Sequence, residues 1–171
     1  MKTIPLITEE AIAKKVEEMA RILNENYAGK ELIIVAILKG SVCLLADLIR
    51  FLTIPFSIEF LRASSYGEKG TERGELSIES VERLEIEGKD VLILDDIYDS
   101  GETLSAITKA LEELRPKSLD SLVLLKKSVP HSGEILPTHV CFDIEDHFVV
   151  GYGLDYKEHY RGMRGIFRIE L

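Results

Sequence analysis

Apolar positions in this chain fall into two rhythms. Ile12, Val16, Met19 and Leu23 recur every three or four residues, the stripe of an amphipathic helix. Thr8 before Glu9 and Glu10 predicts its N-cap and Gly29 its end. A second stripe, Leu104, Ile107, Leu111 and Leu114, predicts a helix over 104–115 that Pro116 stops. Elsewhere apolar residues run together, in LIIVAIL (32–38), VLIL (91–94) and SLVLL (121–125). Such short unbroken runs suit strands covered on both faces of a parallel sheet. FSIEFLRA (56–63), CFDIE (141–145) and FVVGYG (148–153) predict further strands, and VCLLADLIRF (42–51) a further helix.

Strands alternating with helices predict an α/β fold with a mainly parallel central sheet. No repeat or low-complexity linker interrupts it, so residues 1–171 read as one domain. SSYGEKGTERGELS (64–77), with three glycines and many charges, reads as a mobile loop or a long hairpin.

A net charge of −9 argues against a nucleic-acid-binding face. The longest fully apolar run has seven residues, where a membrane helix needs about 20. The start MKTIPLITEEAIAKK has no apolar leader, and Cys43 and Cys141 are far apart with no CxxC. A cytoplasmic protein with free thiols is expected. His131, His139, His147 and His159 have no metal-ligand spacing and read as structural or exposed.

One stretch stands out, VLILDDIYDSGETLSA (91–106). A buried strand runs into Asp95, Asp96 and Asp99, then into Ser100, Gly101, Glu102 and Thr103 at a helix start. In open α/β sheets ligands bind at the carboxyl ends of strands. Small residues let backbone approach a ligand, and the first N–H groups of a helix attract phosphate. Carboxylates repel phosphate but accept from hydroxyls or hold Mg²⁺. Acids followed by a phosphate cradle therefore fit a sugar phosphate. An acidic N-cap on a surface helix would account for one acid, not three. No GxxxxGK[ST] is present, and Tyr156 breaks the GxGxxG that Gly151 and Gly153 begin.

VLILDDIYDSGETL resembles the phosphoribosyl pyrophosphate (PRPP) signature of type I phosphoribosyltransferases, in the form found in the hypoxanthine(-guanine) enzymes, and the resemblance covers nearly the whole chain. It implies a single phosphoribosyltransferase domain, with a mobile loop at about 64–79 and a base-binding hood at about 141–171. Asp95, where the family commonly has Glu, and Asp96 would bind the ribose hydroxyls. Asp99 would be the general acid/base at the purine N7, and Ser100, Gly101, Glu102 and Thr103 would cradle the 5′-phosphate, Glu102 pointing outward. ILKGS (37–41) matches the pyrophosphate loop, with Lys39 and Gly40 as its contacts and the Leu38–Lys39 peptide often cis in relatives. Ser65 and Tyr66 match the lid's Ser-Tyr pair, and Arg62 an arginine near the pyrophosphate or the subunit interface. Lys126 matches the lysine that contacts the purine O6, Phe148 the ring that stacks on the base, and Val149 the backbone at its edge. Asp155 would face Mg²⁺ directly or through water, Asp95 and Asp96 through water or ribose, and Arg161 would face the pyrophosphate.

The implied activity is purine salvage, with PRPP and a 6-oxopurine giving nucleotide and pyrophosphate. Mg²⁺ is the implied cofactor, and a homodimer or homotetramer without nucleic-acid or membrane partners the implied state. A PRPP- or nucleotide-sensing regulator of the same fold is the alternative. It has little need of Asp99, Lys39 and the hood together.

Overall fold

The structure is a computed structural model that describes residues 2–65 and 76–170. Tyr66 and the centre of the expected mobile loop lie outside the described residues. The six-stranded sheet has the order β4-β3-β2-β5-β6-β7. Its strands are β2 (Leu32–Leu38), β3 (Phe56–Ser65), β4 (Leu76–Glu79), β5 (Asp90–Tyr98), β6 (Ser118–Lys127) and β7 (His139–Ile144). All neighbours are parallel except β3 and β4, which pair antiparallel on either side of residues 66–75. The mainly parallel α/β fold is thus as expected.

Alternation along the central strands explains the layering. Leu32, Ile34 and Ala36 of β2 and Leu92 and Leu94 of β5 enter one cluster, with residues of α1 (Glu9–Asn26) and α2 (Val42–Leu48). Ile33, Val35, Ile37, Val91 and Ile93 enter the other, with Leu104, Ile107 and Leu111 of α3 (Glu102–Glu112). Each fully buried aliphatic side chain contributes about 1.5–3 kcal/mol. Thr8 caps α1 as expected, its Oγ1 accepting from the Ala11 N–H at 3.1 Å.

Four elements differ from the sequence reading. Two strands not foreseen, β1 (Lys2–Ile7) and β9 (Ile166–Glu170), join β8 (Val149–Val150) in a separate antiparallel sheet of order β1-β9-β8. Pro5 in β1, where the register shifts, hides that strand from a pattern search. The expected strand over 148–153 stops at Val150 because Gly151, Tyr152 and Gly153 turn with φ of 96°, 49° and 100°. Helix α2 also ends earlier than expected, at Leu48.

Candidate active site

Strand order places the site. From β2 the chain crosses through α2 to β3 on one side, and from β5 it crosses through α3 to β6 on the other. The boundary between β2 and β5 is therefore the topological switch point, where α/β sheets open a crevice. The loops at 38–41 and 98–102 both leave the sheet there.

On the β5 side, Asp95 is 6% exposed and accepts from the Asp96 N–H at 2.9 Å. Burial, then the adjacent carboxylate of Asp96, holds its carboxyl well above the usual range. Burial also raises Asp96, opposed by its hydrogen bond with Asp95 and by the Arg161 charge. The turn after β5 is tightly built. Gly101 has φ 83°, and a Cβ there would strike the Tyr98 ring. A loop from the other side of β6 props it up. The His131 Nδ1 lies 2.8 Å from the Asp99 carbonyl, the Gly133 N–H donates to the Ser100 carbonyl, and the Tyr98 hydroxyl donates to the Ile135 carbonyl. Asp95, Asp99, Ser100, Gly101 and Thr103 line a cavity of about 130 Å³ here. Glu102 is exposed and accepts from the Ser132 hydroxyl at 3.0 Å. His131 was legible in sequence only as a structural or exposed histidine. No motif marks its contact with the turn.

The lysine beside Asp99 is Lys127, not Lys126. Lys127 Nζ lies 3.2 Å from Asp99 Oδ2 and 3.1 Å from Asp146 Oδ1, and its side chain is only 11% exposed. Lys126 Nζ instead lies 3.9 Å from Asp143 Oδ1. Successive strand residues face opposite ways, so one of two adjacent lysines points to the site and the other away. The sequence supplies both and does not say which.

On the β2 side, the Leu38–Lys39 peptide is cis. The buried Ser41 hydroxyl donates to the Ile37 carbonyl at 2.7 Å and closes the loop. Gly40 packs against Asp96 so closely that a Cβ would collide with its carboxylate, and Gly153 packs on the Gly40 carbonyl in the same way. Acid pair, 38–41 loop and hood therefore touch through two glycines. Arg62 stands across the ladder from Leu38.

The hood supplies the remaining candidates. Phe148 is 45% exposed and meets Tyr156 edge-on at 5.5 Å, while Val149 is buried in β8. Arg161 donates to the Gly153 carbonyl at 2.7 Å and pairs with Asp155 at 3.0 Å. Glu158, which no sequence motif marked, lies 3.0 Å from Lys39 and 3.4 Å from Arg161. Of the expected lid residues, Ser65 ends β3. A cleft of about 520 Å³ lies away from the acidic turn, between α1, α2 and the hood, and shares Arg161 with the site.

Comparison with known proteins agrees with this geometry. The family model for the phosphoribosyl transferase domain matches residues 6–157. The hypoxanthine-guanine phosphoribosyltransferase of Dictyostelium discoideum is 41% identical over 160 residues, 91% of this chain and 89% of that protein. A crystal structure of a hypoxanthine-guanine phosphoribosyltransferase from Bacillus anthracis, with HEPES in its active site, superposes with a TM-score of 0.90 at 36% identity, covering 97% of this chain and 98% of that one. A hypoxanthine phosphoribosyltransferase from Staphylococcus aureus also gives 0.90, at 41% identity, over 97% of this chain and 90% of its own. Matched by the family model over most of its length and by enzymes of this family over nearly all of it, the chain belongs to the phosphoribosyltransferases.

Proposed function

We propose that this enzyme transfers the 5-phosphoribosyl group of PRPP to N9 of a 6-oxopurine, hypoxanthine and also guanine, in purine salvage in the cytoplasm. The observation that carries the substrate choice is Lys127 held 3.2 Å from Asp99 at the mouth of the sugar-phosphate turn. An ammonium donates and cannot accept. It therefore favours the carbonyl O6 of hypoxanthine or guanine over the amino group of adenine. Relatives named for hypoxanthine or hypoxanthine-guanine transfer support the same choice.

In this reading Asp95 and Asp96 hold the ribose hydroxyls. Ser100, Gly101, Glu102 and Thr103 surround the 5′-phosphate at the start of α3. Lys39, Gly40 and Arg161 face the pyrophosphate. Phe148 stacks on the base, and the Val149 backbone lies at its edge. The C1′–O bond breaks with its electron pair leaving on pyrophosphate, and the N9 lone pair forms the new C1′–N9 bond. Asp99 takes the N7 proton as positive charge on the base grows, an effect of about 10²–10⁴-fold.

The described residues hold no cluster of three metal-binding side chains. Mg²⁺ is usually held by one or two carboxylates together with substrate phosphates. Asp155, with Asp95 and Asp96 through water or ribose, fits that donor set. The ion would neutralise charge on the leaving pyrophosphate. A sensor of the same fold has no need of a half-buried lysine against Asp99, so the enzyme is preferred.

Asp99→Asn tests the assignment. Its melting temperature should stay near that of the parent while kcat falls by about 10²–10⁴-fold. Unchanged kcat would remove Asp99 from this role.

A further inference from the structure

The two cations placed at the leaving group are already engaged by carboxylates of the chain itself. Lys39 Nζ meets Glu158 Oε2 at 3.0 Å, and Arg161 meets Asp155 Oδ1 at 3.0 Å and Glu158 Oε1 at 3.4 Å. Among the described residues, Glu158 is the one carboxylate that bridges both. It reaches them from a turn closed by the Tyr156–His159 bridge, in which Lys157, Glu158 and Tyr160 adopt φ of 51°, 66° and 76°. Left-handed backbone at non-glycine residues is uncommon and is held by its surroundings. Here the Glu158 N–H donates to Asp155 Oδ2 at 2.8 Å, so the turn is anchored while its carboxylate extends toward the cations.

The two acids differ in freedom. Asp155 is tied by Arg161 and by the Glu158 backbone and is 30% exposed, whereas the Glu158 side chain is 65% exposed and, among the described residues, is tethered by its ion pairs to Lys39 and Arg161. A glutamate with such rotamer freedom can leave, and an anion docking on Lys39 and Arg161 needs the donors that its oxygens now engage.

We propose that Glu158 is an internal counter-anion of the pyrophosphate subsite, which pyrophosphate and the pyrophosphoryl end of PRPP must displace. This deepens the reading of Lys39 and Arg161 given above and rests on it. Glu158 keeps the two cations together in the empty site. It also weakens pyrophosphate binding and competes for the cations as the product departs. The sign of its effect sets this role apart from a structural one. Loss of a supporting contact weakens binding, and loss of a competitor tightens it. An exposed ion pair of this kind is a modest competitor, and the expected change is about two- to fivefold.

The test is calorimetric titration of the full chain with inorganic pyrophosphate and Mg²⁺, in the parent, Glu158→Gln and Glu158→Ala. Both variants should bind pyrophosphate about two- to fivefold more tightly. KM for PRPP should fall in proportion, with KM for hypoxanthine unmoved. In a Lys39→Ala background the gain from Glu158→Gln should shrink. Equal or weaker binding by both variants, with the parent binding normally, would overturn the counter-anion role alone. A parent chain that binds no pyrophosphate would overturn the Lys39 and Arg161 assignment first, and the inference with it.

Discussion

Asp95 is where function and stability oppose each other most directly at the scale of one residue. Its folded pKa is raised by burial and by Asp96, while an unfolded aspartate titrates near 3.9. Between those values the folded state keeps a proton that the unfolded state has lost, so stability falls as pH rises. The contribution is whole below about pH 3.9 and is lost as pH climbs through the folded pKa. Asp95→Asn removes that ionisation. We expect it to raise Tm at pH 8, with the gap closing toward pH 4. PRPP binding should weaken in the same variant. A Tm difference that does not change with pH would contradict the placement of the charge.

Adjacent lysines show what a sequence conceals at this scale. The acids and the turn were legible because residue type alone gives their chemistry. The choice between Lys126 and Lys127 was not, because it depends on which strand face meets Asp99. Lys127→Ala should lower kcat/KM for hypoxanthine by about 10- to 150-fold, as expected for loss of a charged hydrogen-bond donor. Lys126→Ala, which among the described residues removes a long pairing with the exposed Asp143, should change it less than about twofold. Similar losses in both would show that neither lysine is selective for the base.

Among the elements, the turn after β8 has the most consequence for the site and was the least legible. FVVGYG has the composition of a strand, yet three successive left-handed residues end it and send Asp155 toward the switch point. What holds the turn is a long-range contact. The Tyr152 hydroxyl donates to Asp47 Oδ2 at 2.6 Å, fastening the hood to α2, the helix that begins just after the 38–41 loop. Burial, and then the Asp47 hydrogen bond, raises the Tyr152 pKa, so the phenol stays protonated and remains a donor. Tyr152→Phe should lower stability by about 1.5–3 kcal/mol in urea unfolding. Because it loosens the segment that carries Asp155 and Arg161, KM for PRPP should rise several-fold. Stability equal to the parent would mean that the bond is not maintained in solution. Strands β1 and β9 stayed hidden for the same reason, since each gains its partner from the opposite end of the chain.

At the scale of the molecule, unbroken apolar runs announced the parallel sheet, because only strands covered on both faces need them. The small sheet carries mostly half-buried or exposed positions in β1 and β9 and left no such mark. Its effect is to bring the hood down on the switch point, with Gly153 against Gly40 and Gly40 against Asp96. Residues from β2, β5, β6 and the hood thereby share one site, although they are spread from position 39 to position 161. Among the described residues, no helix is long and apolar enough to cross a membrane.

The measurement that bears most directly on the whole reading is nucleotide formation from PRPP and Mg²⁺, with hypoxanthine, guanine, xanthine and adenine offered separately. Turnover with hypoxanthine and guanine, none with adenine, and release of one pyrophosphate per nucleotide is the predicted result. Turnover with adenine at a comparable rate would contradict the role of Lys127. A chain that binds PRPP but forms no nucleotide with any of the four bases would contradict transfer itself.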